Sequence, residues 1–165
     1  MLKVNGIENE GFKETIEFDD YVPFNIEWNY STIKGTKIYW RTGDLKKSLL
    51  EIGIDSLSGR ISSMTLVTSN TISICEGNLL NNYDERGVPS FELTGKDTCD
   101  YIQDFSIKIM NNGISILMFE DDTDIILKSE RISFHIGIDK KLLRIDLLDL
   151  TKNEINYFKT SLAPA

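Results

Sequence analysis

The feature that most constrains this chain is an alternation of apolar and polar residues with period two, which recurs along most of its length. Phe24, Ile26, Trp28 and Tyr30 alternate with Asn25, Glu27 and Asn29. Leu50, Ile52 and Ile54 form a second stripe, and Phe105, Ile107 and Ile109 a third. Ile114, Ile116 and Met118 form a fourth, and Ile132, Phe134, Ile136 and Ile138 a fifth. Successive side chains of a strand point to opposite faces, so each stripe marks a strand with one buried face. Composition agrees. Alanine, the best helix former, occurs only at Ala163 and Ala165, while β-branched and aromatic residues suited to a pleated surface are abundant.

Turn chemistry separates the stripes. Lys34-Gly35 predicts an antiparallel hairpin joining residues 24–30 to 36–41. Asn111-Asn112-Gly113 predicts another, with Asn and Gly supplying positive φ. Residues 76–87 read as a polar loop, and residues 94–100 are again polar. Thr151 and Glu154 fit a capping box, so a helix carrying Ile155, Tyr157, Phe158 and Leu162 on its apolar face is expected, with Pro164 past its end. The expected fold is one domain over residues 1–165, mainly β. It is an antiparallel β-sandwich or strongly bent sheet of about ten strands with a short C-terminal helix.

Charge bounds the partners. The formal net charge is −8, which disfavours nucleic acid and anionic membrane as partners and favours a basic protein. Basic residues are scattered, with Lys46-Lys47 and Lys140-Lys141 as the only pairs, both in expected turns. No apolar run approaches the roughly 20 residues that span a bilayer. Residues 1–6 lack the apolar core of a signal peptide, so a cytoplasmic protein is expected. Cys75 and Cys99 have neither CxxC spacing nor a histidine nearby in sequence and read as free thiols.

One signature is written twice. Leu50-Glu-Ile-Gly53-Ile-Asp55 is followed after four residues by Arg60-Ile61, and Phe134-His-Ile-Gly137-Ile-Asp139 after four residues by Arg144-Ile145. Each copy predicts a strand ending in Asp, a short turn, and a strand opening on an Arg placed to pair with that Asp. The pattern matches no calcium loop. It reads as two scaffold hairpins built by the same local rules.

Motifs for catalysis are absent: there is no GxSxG, Walker loop, HExxH or dinucleotide fingerprint. His135 is the single histidine, which rules out a multi-histidine metal site, and it faces away from its apolar stripe. No cofactor, metal or catalytic residue is expected. Glu27 and Glu51 are the candidate paired carboxylates of a glycosidase, but nothing in the sequence fixes their separation. An exposed Trp28 or Trp40 that stacks on a sugar ring would instead mark a carbohydrate- or other ligand-binding β-domain. A structural subunit docking through unpaired strand edges is a further alternative. The stronger lead is acidic. Asp19-Asp20, Asp84-Glu85, Glu120-Asp121-Asp122 and Asp124 fall in expected turns and are the candidate partner-binding residues.

The stretch Leu49 to Asp55, with Gly59-Arg60-Ile61 and Met64-Thr65-Leu66-Val67, resembles a segment of small bacterial immunity proteins encoded beside polymorphic or contact-dependent growth inhibition toxins. That resemblance implies a cytoplasmic, non-catalytic protein that binds and blocks one toxin domain. Such toxins are often nucleases with basic active sites. No functional residue carries over from it, because immunity proteins diversify at their binding surface.

Overall fold

The computed structural model describes residues 1–32 and 34–162. Its strands form three sheets. In the six-stranded sheet the order is β10 (Thr98–Ile102), β4 (Lys37–Gly43), β5 (Leu49–Asp55), β6 (Ile61–Thr68), β3 (Phe24–Tyr30) and β2 (Phe12–Glu17). In the seven-stranded sheet it is β7 (Ile72–Ile74), β11 (Ser106–Ile109), β12 (Ile114–Leu117), β15 (Leu142–Leu147), β14 (Ile132–Gly137), β13 (Thr123–Lys128) and β8 (Glu85–Arg86). A two-stranded ribbon pairs β1 (Val4–Glu8) with β9 (Val88–Phe91), and the one helix among the described residues, α1, spans Lys152–Leu162. The fold is mainly β with one short C-terminal helix, consistent with a β-sandwich.

The alternating stripes supply the core. Phe24, Ile26, Trp28, Leu50, Ile52, Ile107, Ile116, Ile132 and Phe134 are all buried in one hydrophobic cluster drawn from both large sheets. Trp28 of one sheet meets Phe134 of the other with ring centroids 5.8 Å apart. Thr151 and Glu154 form the expected capping box: Thr151 N–H donates to Glu154 Oε1 at 2.9 Å, and Glu154 N–H to Thr151 Oγ1 at 3.1 Å. Phe158 then packs on Phe24 and Phe18. Pro164 lies outside the described residues.

Several expectations change. Among the described residues there are fifteen strands rather than about ten, in part because β1, β8 and β10 lie in stretches without strong alternation. β3 and β4 do not form a hairpin; β5 and β6 lie between them in the sheet. Pairing is not wholly antiparallel, since β10–β4, β11–β7 and β13–β8 are parallel. The Asn111-Asn112-Gly113 turn joins β11 to β12 as expected, but without positive φ at any of the three residues. Gly113 is needed there for close approach: a Cβ would fall 2.8 Å from Leu79 Cδ1 and also against the Leu147 carbonyl oxygen.

The supposed polar loop has a structural task. β7 and β8 occupy opposite edges of the seven-stranded sheet, six inter-strand steps or roughly 29 Å apart at about 4.8 Å per step. Residues 75–84 must cover that distance, and fully extended they reach only about 36 Å. The segment therefore runs as a strap along the sheet, fastened at its middle and at its far end. Asn112 accepts from Leu79 N–H at 2.7 Å and donates to its carbonyl at 3.2 Å. At the far end, Asp84 N–H donates to the Ile126 carbonyl and Asp84 Oδ2 accepts from Ile126 N–H.

Two devices join the sheets besides the core. The β1–β9 ribbon ties the hairpin tips at one end. Phe91 N–H donates to Gly59 O at 2.7 Å, Val4 N–H to Lys140 O at 2.8 Å and Leu142 N–H to Leu2 O at 3.0 Å. Elsewhere Glu14 of β2, 8% exposed, accepts from Trp28 Nε1 and Arg131 N–H, each at 2.8 Å, and from the Ser129 hydroxyl. Ser129 and Arg131 belong to the β13–β14 turn, so one carboxylate bridges both sheets. Replacing it strands buried donors on each side. Glu14→Ala is expected to cost about 2–4 kcal/mol in urea unfolding. A loss under about 0.5 kcal/mol, the range of neutral surface changes, would show that the bridge is dispensable.

Candidate functional site

The fold gathers six of the eight predicted partner-binding residues at one edge of the seven-stranded sheet. Asp84 and Glu85 lie at and just before β8, which pairs in parallel with β13, the strand that carries Asp124. Glu120, Asp121 and Asp122 form the approach to β13. All six are exposed. Glu85 and Asp124 sit within strands rather than in turns, so their positions are set by sheet pairing. Asp19 and Asp20 lie apart from them, in the β2–β3 loop beside α1, where the Tyr157 hydroxyl donates to Asp20 Oδ1 at 2.5 Å.

Four of the eight carboxylates are occupied locally. Asp19 accepts from Tyr21 N–H, Asp20 from Tyr157, and Asp84 from Ile126 N–H. Asp121 pairs with Lys141 Nζ at 2.6 Å, and that hydrogen bond raises the lysine pKa above its ordinary value. Among the described residues, Glu85, Glu120, Asp122 and Asp124 make no side-chain ion pair or hydrogen bond. The edge therefore presents four uncommitted carboxylates, Glu85 on the short edge strand β8, Asp124 on β13, and Glu120 and Asp122 on the approach to β13. Of the cations nearby, Lys141 is held by Asp121, Lys128 is buried near the Tyr83 ring, and the exposed Arg86 of β8 lies over the same ring and donates to the Tyr83 hydroxyl and the Ser129 carbonyl.

A second polar group was not legible from sequence. On the face of the seven-stranded sheet opposite the core stripe, His135 lies across from Arg144, while Ser133 and Ser115 flank Asp146 on the neighbouring strands. Asp146 is 1% exposed. It accepts from Arg144 Nε at 2.8 Å and from Arg144 Nη2 at 2.7 Å, and His135 Nε2 lies 3.1 Å from it. Burial works to raise the Asp146 pKa, but the bonds from His135, Arg144 and Ser115 outweigh it and hold the carboxyl below its ordinary range. An aspartate orienting a histidine is a component of general-base catalysis. Among the described residues no serine hydroxyl bonds to the imidazole, and the Asp146 carboxylate links β12, β14 and β15 through Ser115, His135 and Arg144. Only the alternation that turns these residues away from the core could have signalled it.

The written repeat is not a structural repeat. Leu50 lies opposite Leu66, whereas the matching Phe134 lies opposite Ile145 and not the matching Leu150. In the first copy Asp55 and Arg60 are both buried. Asp55 accepts from Gly35 N–H at 2.5 Å and Ser58 Oγ at 2.6 Å, with Arg60 Nε 3.8 Å away, and the guanidinium lies 3.9 Å over the Tyr30 ring. In the second copy Asp139 is about half exposed, Lys140 turns the chain at φ 70°, and Arg144 pairs with Asp146 instead. The glycines differ too: a Cβ at Gly53 would fall 2.7 Å from Lys37 Cδ, while at Gly137 the nearest atom is 3.1 Å away.

Trp28 and Trp40 are 1% and 3% exposed, so neither offers a ring to a sugar. Glu27 and Glu51 stand on β3 and β5 with β6 between them. Cys75 and Cys99 are free thiols. Among the described residues no group of three or more His, Cys, Asp or Glu side chains could hold a metal ion, and no helix is long and apolar enough to cross a membrane.

The depressed Asp146 pKa gives a pH signature. A carboxyl whose folded pKa lies below its unfolded value of 3.8 contributes fully above that value and loses its contribution as pH falls through the folded pKa. Asp146→Asn is expected to cost about 3 kcal/mol at roughly pH 6, and the gap from the wild type should narrow as pH falls below about 4. Urea midpoints across that range test it, and a gap independent of pH would contradict it.

Neither known protein families nor curated proteins match this chain.

Proposed function

We propose that this chain is an immunity protein that binds a basic toxin domain and blocks it, using the β8–β13 edge as its docking surface. The observation that carries the reading is that sheet pairing sets Asp84 and Glu85 beside β13, the strand whose approach and first residues carry Glu120, Asp121, Asp122 and Asp124, so two stretches distant in sequence meet at one sheet edge. A net charge of −8 and four carboxylates free of local partners suit a surface that attracts a cationic cleft from a distance and then supplies acceptors to Arg and Lys. The resemblance over residues 49–67 adds the biological setting. In that setting the partner is the toxin domain encoded by the neighbouring gene, the site of action is the cytoplasm, and occlusion rather than chemistry does the work. The segment that carries the resemblance forms β5, β6 and their connecting turn, away from the acidic edge, in keeping with a shared scaffold and a private interface.

The test is association kinetics with that toxin domain. The double substitution Glu85→Lys and Asp124→Lys should slow association by about 10- to 100-fold at low salt, with the difference shrinking as ionic strength rises. The control pair Asp19→Lys and Asp20→Lys should leave the rate within about twofold, since mutations outside an interface leave steering largely intact. Equal rates for the wild type and the β8–β13 variant, with unfolding midpoints unchanged, would remove this edge as the interface.

A further inference from the structure

At the opposite edge of the same sheet the electrostatic character reverses. A groove runs between β7 and α1. One half, about 470 Å³, is lined by Ile74, Met110, Lys152 and Lys159 among others. The other, about 650 Å³, is lined by Lys46, Lys47, Ile72 and Leu162 among others. Among the described residues no Asp or Glu side chain lines either half, in a protein of net charge −8. None of the four lysines makes an ion pair among the described residues. Asp44, the nearest carboxylate in sequence to Lys46 and Lys47, is occupied with the backbone N–H groups of the turn itself. The fold thus assembles a basic patch from the β4–β5 turn and α1, whose lysines lie about 100 residues apart in sequence.

The groove's mixed lining includes the apolar side chains of Ile74, Met110 and Ile72, and its wall is an open strand edge. Ile74 is 70% exposed. β7 pairs with β11 in parallel, with Ile72 opposite Ile107 and Ile74 opposite Ile109. In that ladder the Thr71 carbonyl accepts from Ile107 N–H, and Cys75 N–H donates to the Ile109 carbonyl. The main-chain groups of Ile72 and Ile74 therefore point away from β11, toward the groove. They form a short unpaired template flanked by lysines.

We propose that this edge accepts an acidic, extended peptide segment of a partner protein as an added strand. The peptide's backbone would pair with Ile72 and Ile74, its apolar side chains would lie on Ile74 and Met110, and its carboxylates would meet Lys152 and Lys159 at one end and Lys46 and Lys47 at the other. Charge complementarity selects an acidic occupant. The free strand edge, with Ile74 and Met110 beside it, selects a peptide over a nucleic acid, whose phosphates cannot continue a β-ladder. A long polyanion would also meet the repulsion of the whole chain. This surface lies across the sheet from the acidic edge and does not depend on the toxin reading.

The experiment uses the full chain and a fluorescein-labelled, alternating Glu-Val decapeptide, read by fluorescence anisotropy. Saturable binding is expected, and Lys152→Glu with Lys159→Glu, or Lys46→Glu with Lys47→Glu, should each weaken it at least tenfold. Ile74→Pro should abolish it while leaving the unfolding midpoint unchanged, because the Ile74 N–H is not used in the β7–β11 ladder. Independently of any change to the protein, N-methylation of the peptide at alternate residues should abolish binding in one of the two phases and spare it in the other. The proposal is overturned by absence of saturable binding or by equal binding of both N-methylated peptides. A single-stranded oligonucleotide that binds as tightly with the same lysine dependence would overturn it too.

Discussion

The two large sheets face each other because each strand turns one apolar stripe inward, and the rest of the molecule depends on keeping those stripes in contact. Trp28 against Phe134 marks the middle of that contact. Burial alone is not directional, so the alignment of the sheets is set at their margins. The β1–β9 ribbon holds both hairpin tips through backbone bonds, Glu14 bridges β2 to the β13–β14 turn, and α1 lays Phe158 over Phe24. Each of these features is directional and polar or tightly packed, and each makes good what an apolar core lacks in specificity.

The alternation was legible because it is local: a residue and its second neighbour share a face whatever the sheet order. Strand existence and the capped helix follow from it. Neighbour relations do not. Lys34-Gly35 marks a turn, but whether the strands beside it pair depends on β5 and β6, which arrive later in the chain and insert between them. The twice-written signature shows the same limit. Identical spacing gives two different registers, because the first Asp is captured by Gly35 and Ser58 from surrounding loops while the second turns on Lys140 and leaves Arg144 to Asp146. The acidic clusters were visible as sequence, but their convergence was not, since it arises from the parallel pairing of β8 with β13. The basic groove was hidden for the same reason.

Charge is consequently distributed by topology. β7 and β8 cap the two ends of one seven-stranded order, and residues 75–84 join them directly. Lysines gather beyond β7 and carboxylates beyond β8, so a single sheet carries edges of opposite sign. Short edge strands with charged surroundings also discourage indiscriminate edge-to-edge pairing, which makes each edge selective for partners of complementary charge.

The central claim, that the β8–β13 edge is the docking surface for a basic partner, is tested most directly by carboxyl footprinting. The chain would be labelled with carbodiimide and glycine ethyl ester, alone and in complex with the toxin domain of the neighbouring gene, and each site read by mass spectrometry. The account predicts that Glu85, Glu120, Asp122 and Asp124 lose labelling in the complex while the exposed Glu92 and Asp97 keep theirs. Unchanged labelling at those four carboxylates in a complex that has demonstrably formed would contradict it.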